Sequence, residues 1–426
     1  MNRIRCLGII LPSLFGEGAG VRPFGVRLLA RLLLVILCLM PCAAHAQMWD
    51  RLATSDYRID SSQVHTLRIG LDNISFFRDN EYSSQLTKGY SLPGLWVRPH
   101  VAYTPLRQID LQLGLHALIY DGANKYPCYA YHDIARWKGQ QYQKGAHLLP
   151  WFRAQAEFRN LTVVLGDIYG AQNHRLIRPL FNQEHNMSED PEMGFQLLWD
   201  RRRLHADTWL NWQSYIFEED SHQEAFTVGA SWQVRPGRLD APVEWYLPLN
   251  LIIQHRGGEQ DTTALGVQTL CNASVGAGLR WHINRPALRR FHAEASLLGT
   301  WQQSGQLWPF DTGAALHATA GVNLWDGLSL EGGFFRSPRH FVSLYGNPFF
   351  STISIRDEES HRGLSTVYAR ADYHYTFARH YILGTEVEAF QCWTGRSATQ
   401  PSHQEFNFSF GLYLRICPTL WSWRTP

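Results

Sequence analysis

The stretch Phe406-Asn407-Phe408-Ser409-Phe410-Gly411-Leu412-Tyr413-Leu414-Arg415-Ile416 decides the fold. Phe406, Phe408, Phe410, Leu412, Leu414 and Ile416 fall on one face of an extended chain; Asn407, Ser409, Gly411, Tyr413 and Arg415 fall on the other. A period of two with two unlike faces marks a β-strand lying between two different solvents. Working back from it, the same alternation recurs over Leu67–Phe77, Leu95–Tyr103, Ile109–Ile119, Leu149–Phe158, Leu161–Ile168, Met193–Trp199, Leu204–Phe217 and Glu224–Val234. It continues over Val243–His255, Thr263–Ile283, Phe291–Gln302, Ala314–Trp325, Leu328–Phe335, Leu364–Phe377 and Tyr381–Phe390, which makes sixteen segments with the first.

The joints between these segments alternate as well. Short ones fall at 105–108, 159–160, 201–202, 284–287, 326–327 and 379–380, with a somewhat longer one at 235–242. Long, polar ones fall between them at 79–88, 121–146, 169–190, 218–222, 256–261, 304–311, 336–362 and 394–403. A closed antiparallel barrel whose two rims face different compartments predicts that rhythm, with the short turns on the periplasmic side. The segment lengths suit a tilted strand crossing a bilayer, which needs about 9–11 residues. Outward aromatics near strand ends, namely Tyr103, Phe158, Trp199, Trp281, Trp325, Phe377 and Tyr381, suit interfacial girdles. The expected fold is therefore an all-β transmembrane up-and-down barrel of about sixteen strands, with 14 or 18 as alternatives.

The N-terminal end reads as an export signal. Arg22, Arg27 and Arg31 precede the apolar run Leu32–Met40, and Ala44-His45-Ala46 offers small residues at a cleavage site, so residues 1–46 are expected to be removed, leaving Gln47 first. Their loss takes away five arginines and one glutamate and leaves 34 basic against 36 acidic side chains. That balance, without any basic block, argues against nucleic acid as a partner. Cys128, Cys271, Cys392 and Cys417 lack CxxC or CxH spacing, so neither a zinc site nor a disulfide framework is indicated. The expected organisation is a signal peptide (1–46), a short periplasmic segment (47–66), the barrel (67–416) and a C-terminal tail (417–426).

On these strands the chain resembles the porin-like outer-membrane β-barrels of Gram-negative bacteria. Within it, Leu180-Phe181-Asn182-Gln183-Glu184, Pro191–Leu197 and Asp207–Trp212 resemble segments of uncharacterised Bacteroidota-type barrel proteins. The resemblance implies residence in the cell outer membrane, contact with outer-membrane lipid and lipopolysaccharide, insertion by the barrel-assembly machinery, and a homotrimer as one expected state.

Alternation places a mixed set of charges toward the lumen. The expected pore lining is Arg98, His100, His116, Arg153, Glu157, Asp207, Arg280, His282, His292, Glu294, His317, Arg370, Asp372, His374, Glu386 and Glu388. Charges of both signs in a water-filled lumen can set a transverse field that orients polar solutes. The functional expectation is passive diffusion of small polar solutes or ions, with 121–146 or 336–362 folded inward as a restriction loop and with no enzyme activity, cofactor or metal. One alternative is a binding or assembly barrel with a plugged lumen. Another is a membrane-embedded hydrolase, for which His361, Asp357, Glu358, Glu359, Ser351, Ser354 and Ser360 form a cluster on paper without GxSxG, HExxH or P-loop spacing. Glu184, Glu189, Asp190 and Glu192 lack the regular ligand spacing of a calcium loop.

Overall fold

A computed structural model describes residues 47–120, 145–216, 223–238, 241–258, 266–325, 327–378 and 380–424. The expected signal peptide and the expected restriction loop at 121–146, save its last two residues, lie outside them.

The strands are β1 (Thr66–Ser83), β2 (Lys88–Leu106), β3 (Ile109–Tyr120), β4 (Gly145–Phe158), β5 (Leu161–Asp167), β6 (Met193–Arg201), β7 (Leu204–Ser214) and β8 (Ala225–Val234). They continue as β9 (Val243–Arg256), β10 (Gln268–Arg285), β11 (Leu288–Ser304), β12 (Thr312–Leu324), β13 (Leu328–Ser337), β14 (Leu364–Ala378), β15 (Tyr381–Thr394), β16 (His403–Ile416) and β17 (Thr419–Arg424). From β1 to β16 each strand pairs antiparallel with its sequence neighbour, and β1 closes the ring against β16, with Asn73 opposite Ile416 and Glu81 opposite Phe408. The result is a closed barrel of sixteen strands. β17 prolongs the closing strand: it pairs with the start of β1, Thr66 opposite Arg424, and the Leu71 N–H donates to the Pro418 carbonyl (3.1 Å) across the break. Residues 419–424, expected as a tail, are thus strand, because Thr66–Gly70 would otherwise face lipid with unpaired backbone.

The alternation read from Phe406–Ile416 is the lipid–lumen alternation. Phe406 is 60% exposed and Leu412 46%, whereas Asn407 and Tyr413 are buried. Exposed aromatics mark the short-turn end: Phe158, Trp199, Trp232, Trp245, Trp281 and Phe377; Trp301, Trp393 and Phe406 mark the other. Apolar side chains stay exposed because lipid is their solvent.

Two positions in the sequence reading change. The stretch 79–88 is a four-residue hairpin between β1 and β2, because Tyr82 and Leu86 continue inward into an apolar cluster instead of ending at the rim. Residues 47–66, expected in the periplasm, begin with helix α1 (Met48–Leu52) inside the barrel. There Met48, Trp49 and Leu52 pack with Ile74, Trp96 and Tyr413, the Trp49 indole N–H donates to Glu386 (2.9 Å) and the Met48 N–H to Asp372 (3.0 Å).

Two further segments fill the lumen. Residues 168–192 run inward between β5 and β6, ending in the short helix α2 (His185–Ser188). Residues 338–363, between β13 and β14, fold inward as the sequence suggested for that loop. Phe341, Val342, Leu344, Phe349, Phe350 and Ile353 join Leu180, Leu270, Leu298, Phe335, Tyr368 and Phe390 in one buried cluster. Locally, Asn347 accepts from the Phe349 N–H (3.0 Å) and Pro348 fixes the first turn residue, so Pro348–Phe350 forms a 3-10 turn that aims both rings inward. Asn272 of β10 then clasps the loop: its Nδ2 donates to the Val342 carbonyl (2.7 Å) and its Oδ1 accepts from the Leu344 N–H (2.8 Å).

Candidate functional site

All sixteen sequence-nominated residues stand on lumen-facing positions, but the structure distributes them among separate groups. At the centre, Arg78 is 1% exposed and spends every guanidinium hydrogen. It donates to Glu386 (3.0 Å), Glu388 (3.0 Å), Asn80 (2.9 Å), Ser409 (3.0 Å) and Tyr413 (3.4 Å). Arg370 lies near Glu331 (3.6 Å), Asp372 (3.4 Å) and Glu386 (3.7 Å), and Arg178 from the 168–192 insert reaches Glu388 and Glu331. These pairs tie wall, insert and α1 together. Pairing of opposite charges is what makes burial of so many of them tolerable.

Elsewhere Arg98 donates its Nε–H to His116 Nδ1 (2.9 Å), which leaves the proton of neutral His116 on Nε2. His100 stands beside Trp151, and Arg153 is bound to Asp167 (2.6 Å) over the Tyr169 ring. Glu157 receives Arg58 (2.9 Å) and the Ile59 N–H (3.0 Å) near the short-turn rim. His317 meets the Tyr368 hydroxyl (3.0 Å), His292 meets Glu331 (3.4 Å), and His374 is buried near the 325–328 turn.

The remaining nominees, Arg280, His282 and Glu294, line a cavity of about 630 Å3 with His292 and His317. It lies toward the short-turn end, where Arg235, Glu244 and Arg290 also face it. Gly278 leaves room for the Tyr246 ring, since a Cβ there would meet it at 2.3 Å, and the Arg280 guanidinium covers that ring at 3.9 Å.

Sequence reasoning missed His174, Arg78, Arg178 and Glu331. His174, 2% exposed, ends a 3-10 turn (Ala171–His174) and stacks on Trp209 at 3.5 Å. Its Nδ1 lies 2.7 Å from Asp207 and its Nε2 3.1 Å from Glu192. Burial alone would push the imidazolium pKa down, but Glu192 and Asp207 raise it to about 9, and His174 in turn holds Glu192 below the usual carboxylate range against its own burial. His174 is therefore a cation at neutral pH. A small cavity of about 20 Å3 adjoins it, lined also by Asn211, Thr227 and Tyr345.

The hydrolytic cluster drawn on paper is dispersed. His361 is buried with Nδ1 on the Gly395 carbonyl (3.0 Å), Ser354 caps the Arg356 N–H (3.1 Å), and Ser360 lies near His340 (3.4 Å) instead. The carboxylates Glu184, Glu189, Asp190 and Glu192 go to Tyr90, His185, His147 and His174 respectively, so each has a partner of its own. Among the described residues no group of three or more metal-binding side chains is assembled. Cys271, Cys392 and Cys417 are free thiols, and Cys128 lies outside the described residues.

A sequence model of the lipid A 3'-O-deacylase-type family matches residues 59–422. The chain belongs to that family. Membership corrects the expectation of a chain without enzyme activity, because the family carries the name of an enzyme. The expectation failed because it rested on the absence of short local motifs, whereas a barrel assembles its polar groups from strands far apart in sequence. No curated protein matches. Among solved structures the chain is similar to the outer membrane protein OprD from Pseudomonas aeruginosa, at 9% identity and TM-score 0.47, covering 87% of this chain and 98% of that one. It is similar also to Acinetobacter baumannii OccAB3, at 9% identity, TM-score 0.45, and 84% and 99% coverage. The trimer form of OmpT from Vibrio cholerae has the same identity and TM-score, with 83% and 99% coverage. The likeness is one of barrel architecture.

Proposed function

We propose that this member is an outer-membrane esterase that removes an acyl chain from a lipid A-type glycolipid, with His174 as its acid–base group. The carrying observation is the Asp207–His174 pair beside a small, largely apolar cavity lined by Leu176, Phe181, Trp209 and Ile252. A carboxylate on Nδ1 fixes the tautomer and orientation of an imidazole whose Nε2 can serve a reacting group, the arrangement that acyl-transfer sites use. In the resting protein Glu192 occupies Nε2 and keeps the ring charged. Withdrawal of Glu192 lowers the pKa and turns the same ring into a base able to take a proton from a water attacking the ester carbonyl. Asp207 then stabilises the resulting imidazolium, which returns its proton to the leaving alkoxide. Tyr345, from the inward loop 338–363, walls the cavity, so substrate entry from the outer rim is coupled to movement of that loop. The family name supports the substrate class, and the apolar filling of the lumen supports a site over a conduit.

The test is to incubate detergent-solubilised protein with lipopolysaccharide and measure lipid A masses. The wild type is expected to produce a species one acyl chain lighter, and His174→Gln to produce none while still migrating as a folded barrel on an unboiled gel. Equal activity in both proteins, or no mass change with either, overturns the reading. The mixed-charge cavity at the short-turn end favours a second reading, passage of small polar solutes when loop 338–363 swings away. Discrete current steps in a planar bilayer would favour that reading.

A further inference from the structure

We infer that the cavity at the short-turn end is a binding site for a small organic anion, phosphate- or carboxylate-bearing and about the size of a sugar phosphate, entering from the periplasm. Its volume of about 630 Å3 lies within the range of small-molecule sites, roughly 300–1,000 Å3. Six arginines line it against four carboxylates, so the wall carries an excess of two positive charges with its histidines neutral. The excess is not spread evenly. Arg178 is committed to Glu331 and Glu388. Arg235 (3.4 Å) and Arg280 (3.1 Å) share the single carboxylate of Glu244, and the Arg235 Nε has no hydrogen-bond partner although it is buried. Arg290 gives its Nε–H to the neutral amide of Asn323 (2.9 Å). Neither Arg51 nor Arg175 has an ion pair among the described residues, and Asp50, next to Arg51 in sequence, accepts from the Gln172 amide (3.0 Å).

The seat of Arg175 is set by its backbone. It caps the Ala171–His174 turn in the left-handed region, at φ 54° and ψ 33°, with its N–H on the Gln172 carbonyl. That backbone turn follows His174 directly and leaves the guanidinium exposed in the cavity while the neighbouring His174 is buried. Guanidinium groups with unspent donors, held in a partly dry recess, match phosphate and carboxylate oxygens in charge and planar geometry. The site would hold the anion between α1 and the 168–192 insert on one side, through Arg51 and Arg175, and β8–β11 on the other, through Arg235, Arg280 and Arg290. The inference is independent of the acyl-hydrolase reading, since it is tested without lipid.

Calorimetric titration of the detergent-solubilised barrel with glucose 6-phosphate, inorganic phosphate and glucose tests it. The expected order is glucose 6-phosphate tighter than phosphate, with glucose not binding, and affinity falling as salt is raised. Arg175→Gln and Arg51→Gln are each expected to weaken glucose 6-phosphate about tenfold, and the double variant about a hundredfold, with unboiled-gel migration unchanged. Glucose binding as well as its phosphate, no binding of either anion, or unchanged affinity in the folded double variant would each overturn the inference.

Discussion

Replacing Asn272 by alanine should loosen the inward loop without disturbing the barrel wall. Asn272 is fully buried, and its amide both donates to the Val342 carbonyl and accepts from the Leu344 N–H, so one side chain satisfies two backbone groups inside an apolar cluster. Losing a buried partner costs about 1–3 kcal/mol per group, and the lower part of that range applies to a loop that can relax, about 2–4 kcal/mol in all. With tenfold per about 1.4 kcal/mol, the local opening equilibrium should rise by a factor of about 30 to 700. Hydrogen–deuterium exchange read by mass spectrometry over 338–353 gives this number directly, because peptides from β10 and β11 serve as internal controls. Exchange in the loop should accelerate while the strands keep their protection. If loop and wall exchange at wild-type rates in Asn272→Ala, the clasp does not hold the plug. If both accelerate together, the plug and barrel are one cooperative unit and the reasoning fails equally.

Three more outcomes are expected. Because the folded pKa of His174 is raised from 6.5 to about 9, its stabilising contribution is fully present below about pH 6.5 and is lost as pH rises through about 9. That gap corresponds to about 3 kcal/mol, so denaturant melts between pH 6 and 10 should fall more steeply for the wild type than for His174→Gln; parallel curves would exclude the charged pair. Arg78→Met leaves Glu386 and Glu388 short of a cation in a buried site and should destabilise the barrel by about 3–5 kcal/mol, seen as a lowered Tm; an unchanged Tm would mean water reaches the centre. Deleting residues 418–424 exposes the backbone of Thr66–Gly70 and should abolish the heat-modifiable band, which would persist if β17 were dispensable.

The wall was legible because lipid enforces a strict two-residue period on every strand that meets it. Arg78 and Glu331 could have been found by the same rule: Ile74, Phe76, Arg78 and Asn80 are one inward row, and Glu331 alternates with outward Leu330. What lay hidden was the filling. Phe341, Val342, Leu344, Phe349 and Phe350 follow no period, since a loop packs its apolar side chains by shape and not by pleat. His174 was equally silent: its partners Asp207 and Glu192 stand 33 and 18 residues away, one on a strand and one on the insert. Alternation could place the nominated side chains on one face of each strand, but it could not say that most of them would be taken up by partners from inserts.

The seat of α1 fixes an order of events for assembly. Met48 and Trp49 bind acceptors on β14 and β15, 324 and 337 residues further along, and Arg415 reaches back to the carbonyl of Leu52. Those acceptors come into place only when the last strands do, and the seam at β1 cannot seal until β16 and β17 arrive. Residues 47–52 precede every strand in sequence and settle among the last. Until then Met48, Trp49 and Leu52 have no apolar seat, so burial of this short helix waits on barrel closure.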